Sequence, residues 1–237
     1  MARHRSHFDG DNRVLAALPE DDLERLRPAL EPVVLPLGRS IYEADLPLEH
    51  LYFPTHGIIS MLHVMENGAS GEIAVVGSEG VVGIAMFMGG STTPSRAVVQ
   101  SAGRAYRLHK KALQKEFERG GRLQYLLLRF TQALISQMSQ TAVCNRHHDI
   151  EQQLCRWLLM SLDRLRSDQV VMTQELIANM LGVRREGVTA AAGKLQQARV
   201  IRYARGRITV LDRAKLQARA CECYLVVRRE YERLLAE

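Results

Sequence analysis

The spacing of apolar residues changes along the chain, and each change marks a different kind of structure. Val14, Leu15, Leu18, Leu23, Leu26 and Leu30 recur at helical intervals, with Pro19, Asp21 and Asp22 suited to a second helix start. A helical lead over residues 1–31 follows. From Pro32 to Leu108 short apolar runs take over: Ser40–Tyr42, His50–Phe53, Ile58–Val64, Ile73–Val76 and Arg96–Gln100. Glycine, proline, asparagine and serine separate them, and Asn67-Gly68 has the character of a hairpin loop. Many short strands at regular spacing predict a β-barrel, jelly roll or sandwich over residues 32–109.

After Gly120-Gly121 a long stretch without glycine or proline begins at Arg122. Leu123, Leu127, Phe130, Leu134, Gln137, Thr141 and Cys144 step by 4, 3, 4, 3, 4 and 3. That 3.5-residue period suits two helices packed along their length. The helix either lies on its own domain or pairs with a second copy. Length and register favour the pair, which makes residues 110–146 a dimerisation helix with Leu123, Leu127, Phe130, Leu134, Gln137 and Thr141 at the interface. His147-His148-Asp149 reads as a solvated junction, because adjacent histidines do not easily share one ion. Ile150–Leu165 is a further helix, with Leu154, Trp157, Leu158, Ser161, Leu162 and Leu165 on one face.

Residues 147–237 hold the most informative pattern. Thr173 can cap a helix by accepting a backbone N–H. Leu176, Ile177, Met180 and Leu181 then mark a buried face, Ala178 leaves room for a crossing helix, and Gly182 permits a tight turn. A second helix follows, with Val188, Ala191, Ala192 and Leu195 inward. Arg184, Arg185, Glu186 and Thr189 are left on its outer face near its start. A reading helix enters the major groove by its first turns, where Arg bonds guanine and Glu accepts from cytosine. Val200–Leu211 then reads as two short strands around a glycine-containing turn, a wing. Arg199, Arg202, Arg205 and Arg207 load it with charge suited to phosphates, and Thr173 at the helix start joins that set.

Charge placement agrees. Residues 1–179 hold 19 Lys+Arg against 20 Asp+Glu, and residues 180–237 hold 13 against 6, so the whole excess lies in the last quarter. Cys144, Cys155, Cys221 and Cys223 form no CxxC pair, and Cys221-Glu222-Cys223 is tighter than an ordinary zinc knuckle. They are expected to be separate, reduced core thiols of a cytoplasmic protein, with no metal. The polar start, Met1 to Asn12, has no apolar core of a signal peptide, and the run Leu154–Leu162 is broken by Arg156 and too short to span a bilayer.

From Leu30 to Leu211 the chain resembles the Crp/Fnr family of bacterial transcription regulators. The resemblance rests on Pro36–Tyr42, Leu51–Pro54, Gly57–Leu62 and Gly80–Gly83 in the first half, and on Thr173–Leu195 and the wing in the second. It implies an α+β protein: a cyclic-nucleotide-binding-like jelly roll, a dimer helix and a winged helix-turn-helix. Arg185-Glu186 falls where the family reads bases. Two departures matter. Ala190 stands where well-known members carry a further Arg, so the family's usual half-site is not implied. Ile84 stands where cyclic-AMP binders carry the Glu that takes the ribose hydroxyls. An apolar residue cannot replace that carboxylate. Gly83, Gly89, Gly90, Ser91 and Arg96 form the candidate effector pocket, for an unidentified anion at most. Iron–sulfur members carry an N-terminal cysteine cluster, and here no Cys precedes Cys144.

The expected partners are a palindromic duplex, a second copy of the chain and RNA polymerase, without a membrane. No Ser/His/Asp, Cys/His or P-loop arrangement points to an enzyme. The alternative is a non-specific architectural DNA binder, for which the basic wing would suffice.

Overall fold

The computed structural model describes residues 12–165 and 167–235. Helices α1 (Arg13–Ala16) and α2 (Glu20–Leu26) form the lead, and a short 3-10 turn passes into strand β1 (Leu30–Leu35). Strands β2 (Ser40–Tyr42), β3 (His50–Val64), β4 (Ser70–Val76) and β5 (Arg96–His109) complete an antiparallel sheet of order β1-β5-β3-β4, with β2 also on β5. The register runs from Leu30 opposite Leu108 to Leu35 opposite Gly103. The expected Asn-Gly hairpin joins β3 to β4: Gly68 has φ +81°, and Asn67 Oδ1 accepts from the Ala69 amide at 3.0 Å.

Helix α3 (Lys110–Glu118) follows, then the long α4 (Arg122–His147) and α5 (Ile150–Leu165). The last part alternates strand and helix: β6 (Gln169–Val171), α6 (Gln174–Leu181), α7 (Arg185–Gln197), β7 (Ile201–Ala204), β8 (Arg207–Val210), α8 (Arg213–Arg219) and α9 (Cys223–Leu235). The three short strands make a second sheet, β6-β8-β7. This is the α+β architecture expected: a β-roll, a long helix and a winged helix-turn-helix. Among the described residues no helix is long and apolar enough to cross a membrane.

The chain packs as two units, and the cuts fall inside β3, β4, α4 and α9. One comprises Met1–Ile59, Val76–Gln132 and Arg233–Glu237. Its core holds Leu35, Leu51, Phe53, Ile58, Val81, Val99, Leu108, Leu127 and Phe130, all fully buried. Asn12 is buried as well, with its side-chain amide fully hydrogen-bonded. Its Nδ2 donates to the Pro54 and Gly80 carbonyls, both at 2.9 Å, while its Oδ1 accepts from Val14 and Leu15 and so caps α1. Gly80 is small by necessity, since a Cβ there would fall 1.8 Å from the Phe130 ring.

The other unit comprises Ser60–Val75 and Ala133–Glu232. Leu154, Leu158, Ile177, Val188, Leu195, Ile201, Ile208, Leu216 and Tyr224 are its core. One expected core position is not there: Leu176 is 46% exposed, and Ile177, Ala178 and Leu181 form the buried face of α6 instead. The helix turns 100° per residue, so Leu176 falls just outside the stripe that three apolar neighbours already fill.

Glu72 is an acid inside this unit. Ser60 Oγ donates to its Oε2 at 2.6 Å and Trp157 Nε1 to its Oε1 at 3.1 Å. Burial pushes its carboxyl up to about 7 from 4.5, against the pull of those two donors and of Arg156 and Arg164. A raised carboxyl binds more protons folded than unfolded, so its contribution is full below pH 4.5 and is lost as pH rises to about 7. The loss is about 3 kcal/mol. Glu72→Gln keeps the neutral shape and lacks the titration. Thermal unfolding at pH ~5 and pH ~8 is therefore expected to show the wild type losing ground to the variant on the alkaline side. Parallel profiles would contradict this account.

Candidate nucleic-acid interface

The helix-turn-helix is set by local signals. Thr173 caps α6, its Oγ1 accepting from the Leu176 amide at 3.3 Å. Gly182 ends the helix with φ +67°, a left-handed position that glycine takes without a Cβ clash. Arg184 is the N-cap of α7 with extended backbone, φ −74° and ψ 144°. Val188, Ala191, Ala192 and Leu195 pin α7 to the core. Gly187 permits the close approach of α5, because a Cβ there would meet Ile150 Cδ1 at 2.5 Å.

Arg184, Arg185, Glu186 and Thr189 are then all exposed at the start of α7. Arg184, Arg185 and Glu186 have no ion-pair partner among the described residues. Thr189 differs: its Oγ1 lies 2.8 Å from Gln174 Oε1 and 3.0 Å from the Arg185 carbonyl. Its hydroxyl is engaged within the motif.

The wing is a hairpin whose two-residue turn, Arg205-Gly206, has φ +51° and +73°, the pattern of a type I′ turn. Arg199, Arg202, Arg205 and Arg207 are exposed along it. Arg207 Nη1 reaches Gln169 Oε1 at 3.4 Å, a contact to a neutral group that leaves its charge uncompensated. Tyr203, which the sequence did not single out, holds the wing in place. Its hydroxyl donates to the Met172 carbonyl at 2.8 Å, and its amide donates to Gln196 Oε1 at 2.8 Å. Burial raises its phenol above the ordinary value, and the positive charge of Arg185 opposes that rise.

The expected effector residues do not converge in the same way. Gly83 is buried, with φ +112° ahead of a 3-10 turn at Ile84–Met86. Gly89, Gly90 and Ser91 are exposed, and the Ser91 carbonyl accepts from the Leu48 amide at 2.9 Å. Arg96, the cation expected to hold an anion, pairs with Glu43 at 3.2 Å.

The dimer seam requires a correction. Leu123, Leu127, Phe130, Leu134 and Gln137 are buried by the chain itself. Gln137 donates to the Val75 carbonyl at 3.1 Å and accepts from Arg164 at 3.0 Å. Half-buried Thr141 accepts from Arg156 at 2.6 Å. The five buried side chains are unavailable to a partner, and the Thr141 hydroxyl is engaged within the chain. A 3.5-residue period shows that a helix face is covered and not what covers it. The same helix carries a second stripe at that period: Tyr125, Leu128, Gln132, Ile135, Ser139 and Ala142, all exposed. Leu128 and Ile135 are each 51% exposed.

The cysteines also depart from expectation. Cys144, Cys221 and Cys223 are not separate thiols but meet at one place with His148. Only Cys155 stands apart from that group. Helices α8 and α9, which bring Cys221 and Cys223 there, were not read from the sequence. The buried series Cys223, Val227, Tyr231 and Leu234 is the signal that reveals α9.

Residues 32–119 match the model of the cyclic nucleotide-binding domain, and residues 152–219 that of the Crp-like helix-turn-helix domain. No curated protein matches the chain. Many solved structures share its fold, among them the following three. A regulator of the Crp/Fnr family from Eubacterium rectale aligns with a TM-score of 0.69 at 14% identity, over 85% of this chain and 94% of that one. The c-di-GMP responsive regulator CLP of Xanthomonas campestris gives 0.68 at 15% identity, over 81% and 99%. FixK2 of Bradyrhizobium japonicum gives 0.67 at 16%, over 81% and 98%. Two domain matches in this order, together about two thirds of the sequence, place the chain in the Crp/Fnr family of transcriptional regulators.

Proposed function

We propose that the protein is a homodimer that reads a two-fold symmetric DNA site through α7 and acts on RNA polymerase, with a β-roll that does not take cyclic AMP. The observation that carries the reading is the start of α7, where two arginines and a glutamate stand exposed, without ion-pair partners among the described residues, beside a basic wing. Arg185 suits the two acceptors of a guanine, and Glu186 the amine of a cytosine. Arg184 is placed for a neighbouring base or phosphate. With its hydroxyl engaged, Thr189 offers its methyl group, which fits a thymine methyl. Arg199, Arg202, Arg205 and Arg207, with Thr173 at the start of α6, take phosphates.

Glu186 argues against an architectural binder. A carboxylate at a DNA-facing helix start repels every phosphate alike and helps only where a base donates to it. The β-roll reading rests on Ile84, which has no group for ribose hydroxyls, and on Arg96, already paired with Glu43. The second copy would lie along the exposed stripe of α4, whose 3.5-residue period continues over five steps. Such a pair presents its reading helices one DNA turn apart, ~34 Å.

Selection from a random duplex pool, with purified protein and no nucleotide, is expected to enrich a palindrome. Cyclic AMP is expected to leave the affinity unchanged, and c-di-GMP is the second nucleotide to add, given the responsive relative in Xanthomonas campestris. Arg185→Ala is expected to weaken the selected site by ~1–3 kcal/mol and to relax one position. Equal weakening on random DNA would reject base reading by this residue.

Sedimentation tests the dimer. Leu128→Glu with Ile135→Glu is expected to give a monomer of unchanged circular dichroism, with weak DNA binding. A variant that stays dimeric would move the interface elsewhere.

Arg199 separates folding from binding. It sits at φ +54° after α7, where the Val200 amide reaches the Leu195 carbonyl and its own amide the Gln196 carbonyl, both at 2.9 Å. That is a Schellman end, a position glycine favours, and a side chain there costs ~1–2 kcal/mol. Arg199→Gly is expected to unfold at an equal or higher temperature and to bind the selected site more weakly. Unchanged binding would remove Arg199 from the interface.

A further inference from the structure

Cys144 lies in the last turn of α4, and His148 follows that helix by one residue. They are four residues apart, and the His148 amide still donates to the Cys144 carbonyl at 3.0 Å, so both lie on one face of the same helical path. Cys221 lies between α8 and α9, and Cys223 opens α9. One donor atom from each of the four lies within 4.8 Å of all the others. Cys144 Sγ is 3.5 Å from Cys221 Sγ, and Cys223 Sγ is 3.5 Å from His148 Nδ1. The three cysteines are buried and form a core cluster made of nothing else.

We propose that Cys144, His148, Cys221 and Cys223 bind one zinc ion as a Cys3His site that fastens the start of α9 to the end of α4.

The distances suit a single ion. Zinc bonds sulfur at ~2.3 Å and imidazole nitrogen at ~2.0 Å, which sets tetrahedral ligands ~3.5–3.8 Å apart. The Cys144–Cys221 and Cys223–His148 contacts, both 3.5 Å, fall near that separation, and the remaining pairs lie within 4.8 Å, so small side-chain adjustments would close the tetrahedron. An iron–sulfur cluster attaches its thiolates to separate irons and needs a wider cage. Three thiolates and one imidazole are also a donor set that zinc prefers and that calcium or magnesium does not.

The surroundings complete the chemistry. His148 Nε2 is 3.3 Å from Glu222 Oε2. A hydrogen on Nε2 donated to that carboxylate leaves the Nδ1 lone pair turned toward the sulfurs, the tautomer a ligating histidine needs. Gln140 Nε2 donates to Cys223 Sγ at 3.0 Å, a bond that stabilises a thiolate. Cysteines serving only as small core residues are expected among aliphatic side chains; these face an imidazole and an amide. A Cys144–Cys221 disulfide would leave Cys223 and His148 without a role.

The test is metal analysis of the full-length protein, purified under reducing conditions without chelator. About one zinc per chain is expected. Exchange with Co2+ is expected to give tetrahedral visible bands and a thiolate charge-transfer band. Cys144→Ser and Cys223→Ser are expected to lose the metal, while Cys155→Ser, outside the cluster, keeps it. Glu222→Gln, at an exposed position that leaves all four ligands in place, is expected to weaken zinc by ~10–100-fold. The proposal is overturned by a wild-type chain with little zinc and no cobalt spectrum. Equal zinc in Cys223→Ser and wild type, or a Cys144–Cys221 disulfide in the reduced preparation, would overturn it as well.

Discussion

A single helix, α4, has to serve two surfaces at once, and the rest of the molecule depends on how it divides them. An α-helix of 26 residues can carry two apolar stripes at a 3.5-residue period on different faces. One stripe, from Leu123 to Gln137, is taken into the chain's own cores. There its polar member Gln137 is held by the Val75 carbonyl and Arg164, as burial requires. The other stripe, from Tyr125 to Ala142, is left in water with Leu128 and Ile135 half exposed. Four apolar side chains, Tyr125, Leu128, Ile135 and Ala142, aligned on one exposed face with Gln132 and Ser139 between them signify a partner surface more strongly than scattered ones do.

This division explains what the sequence did and did not disclose. The period of the stripe was legible, because it needs only a count of apolar residues. Its occupant was not, because a buried seam against one's own core and a buried seam against a copy have the same spacing. The β-roll was legible for the opposite reason: its turns are punctuated by Asn67-Gly68 and similar pairs, which carry local backbone information. The helix-turn-helix was legible because Thr173, Gly182 and the buried Val188 each do a separate local job at fixed offsets. The cysteine cluster was hidden. Cys144 and Cys221 lie 77 residues apart, and only the packing of α8 and α9 brings them together. Spacing within a motif informs about neighbours in sequence, and this site draws its ligands from two distant segments.

The arginines of the interface show a second tension, between fold and function. Among the described residues only Asp45, Arg199 and Arg205 hold a positive φ without being glycine. Two of these three are wing arginines. Glycine or asparagine is the easier choice at the end of α7 and in a type I′ turn. A long cation at each place strains the backbone slightly and puts charge where phosphates are expected, a combination typical of binding surfaces.

Burial of charge elsewhere follows the reverse logic. Glu72 is satisfied by Ser60 and Trp157 yet has its carboxyl raised to about 7 by desolvation, so its network orients side chains at the expense of stability above its raised pKa. The cysteine cluster has no such internal balance. Three thiols and an imidazole offer each other only weak hydrogen bonds, and small side chains provide little dispersion attraction. An ion replaces those weak contacts by four coordinate bonds, and its binding free energy then becomes folding free energy for the segments that supply the ligands. Because Cys144 and His148 come from one segment and Cys221 and Cys223 from another, that free energy falls on the joining of α9 to the end of α4 rather than on either helix alone. The position of α9 is thereby tied to the deprotonated, reduced state of three thiols, a dependence that apolar packing at the same place would not have.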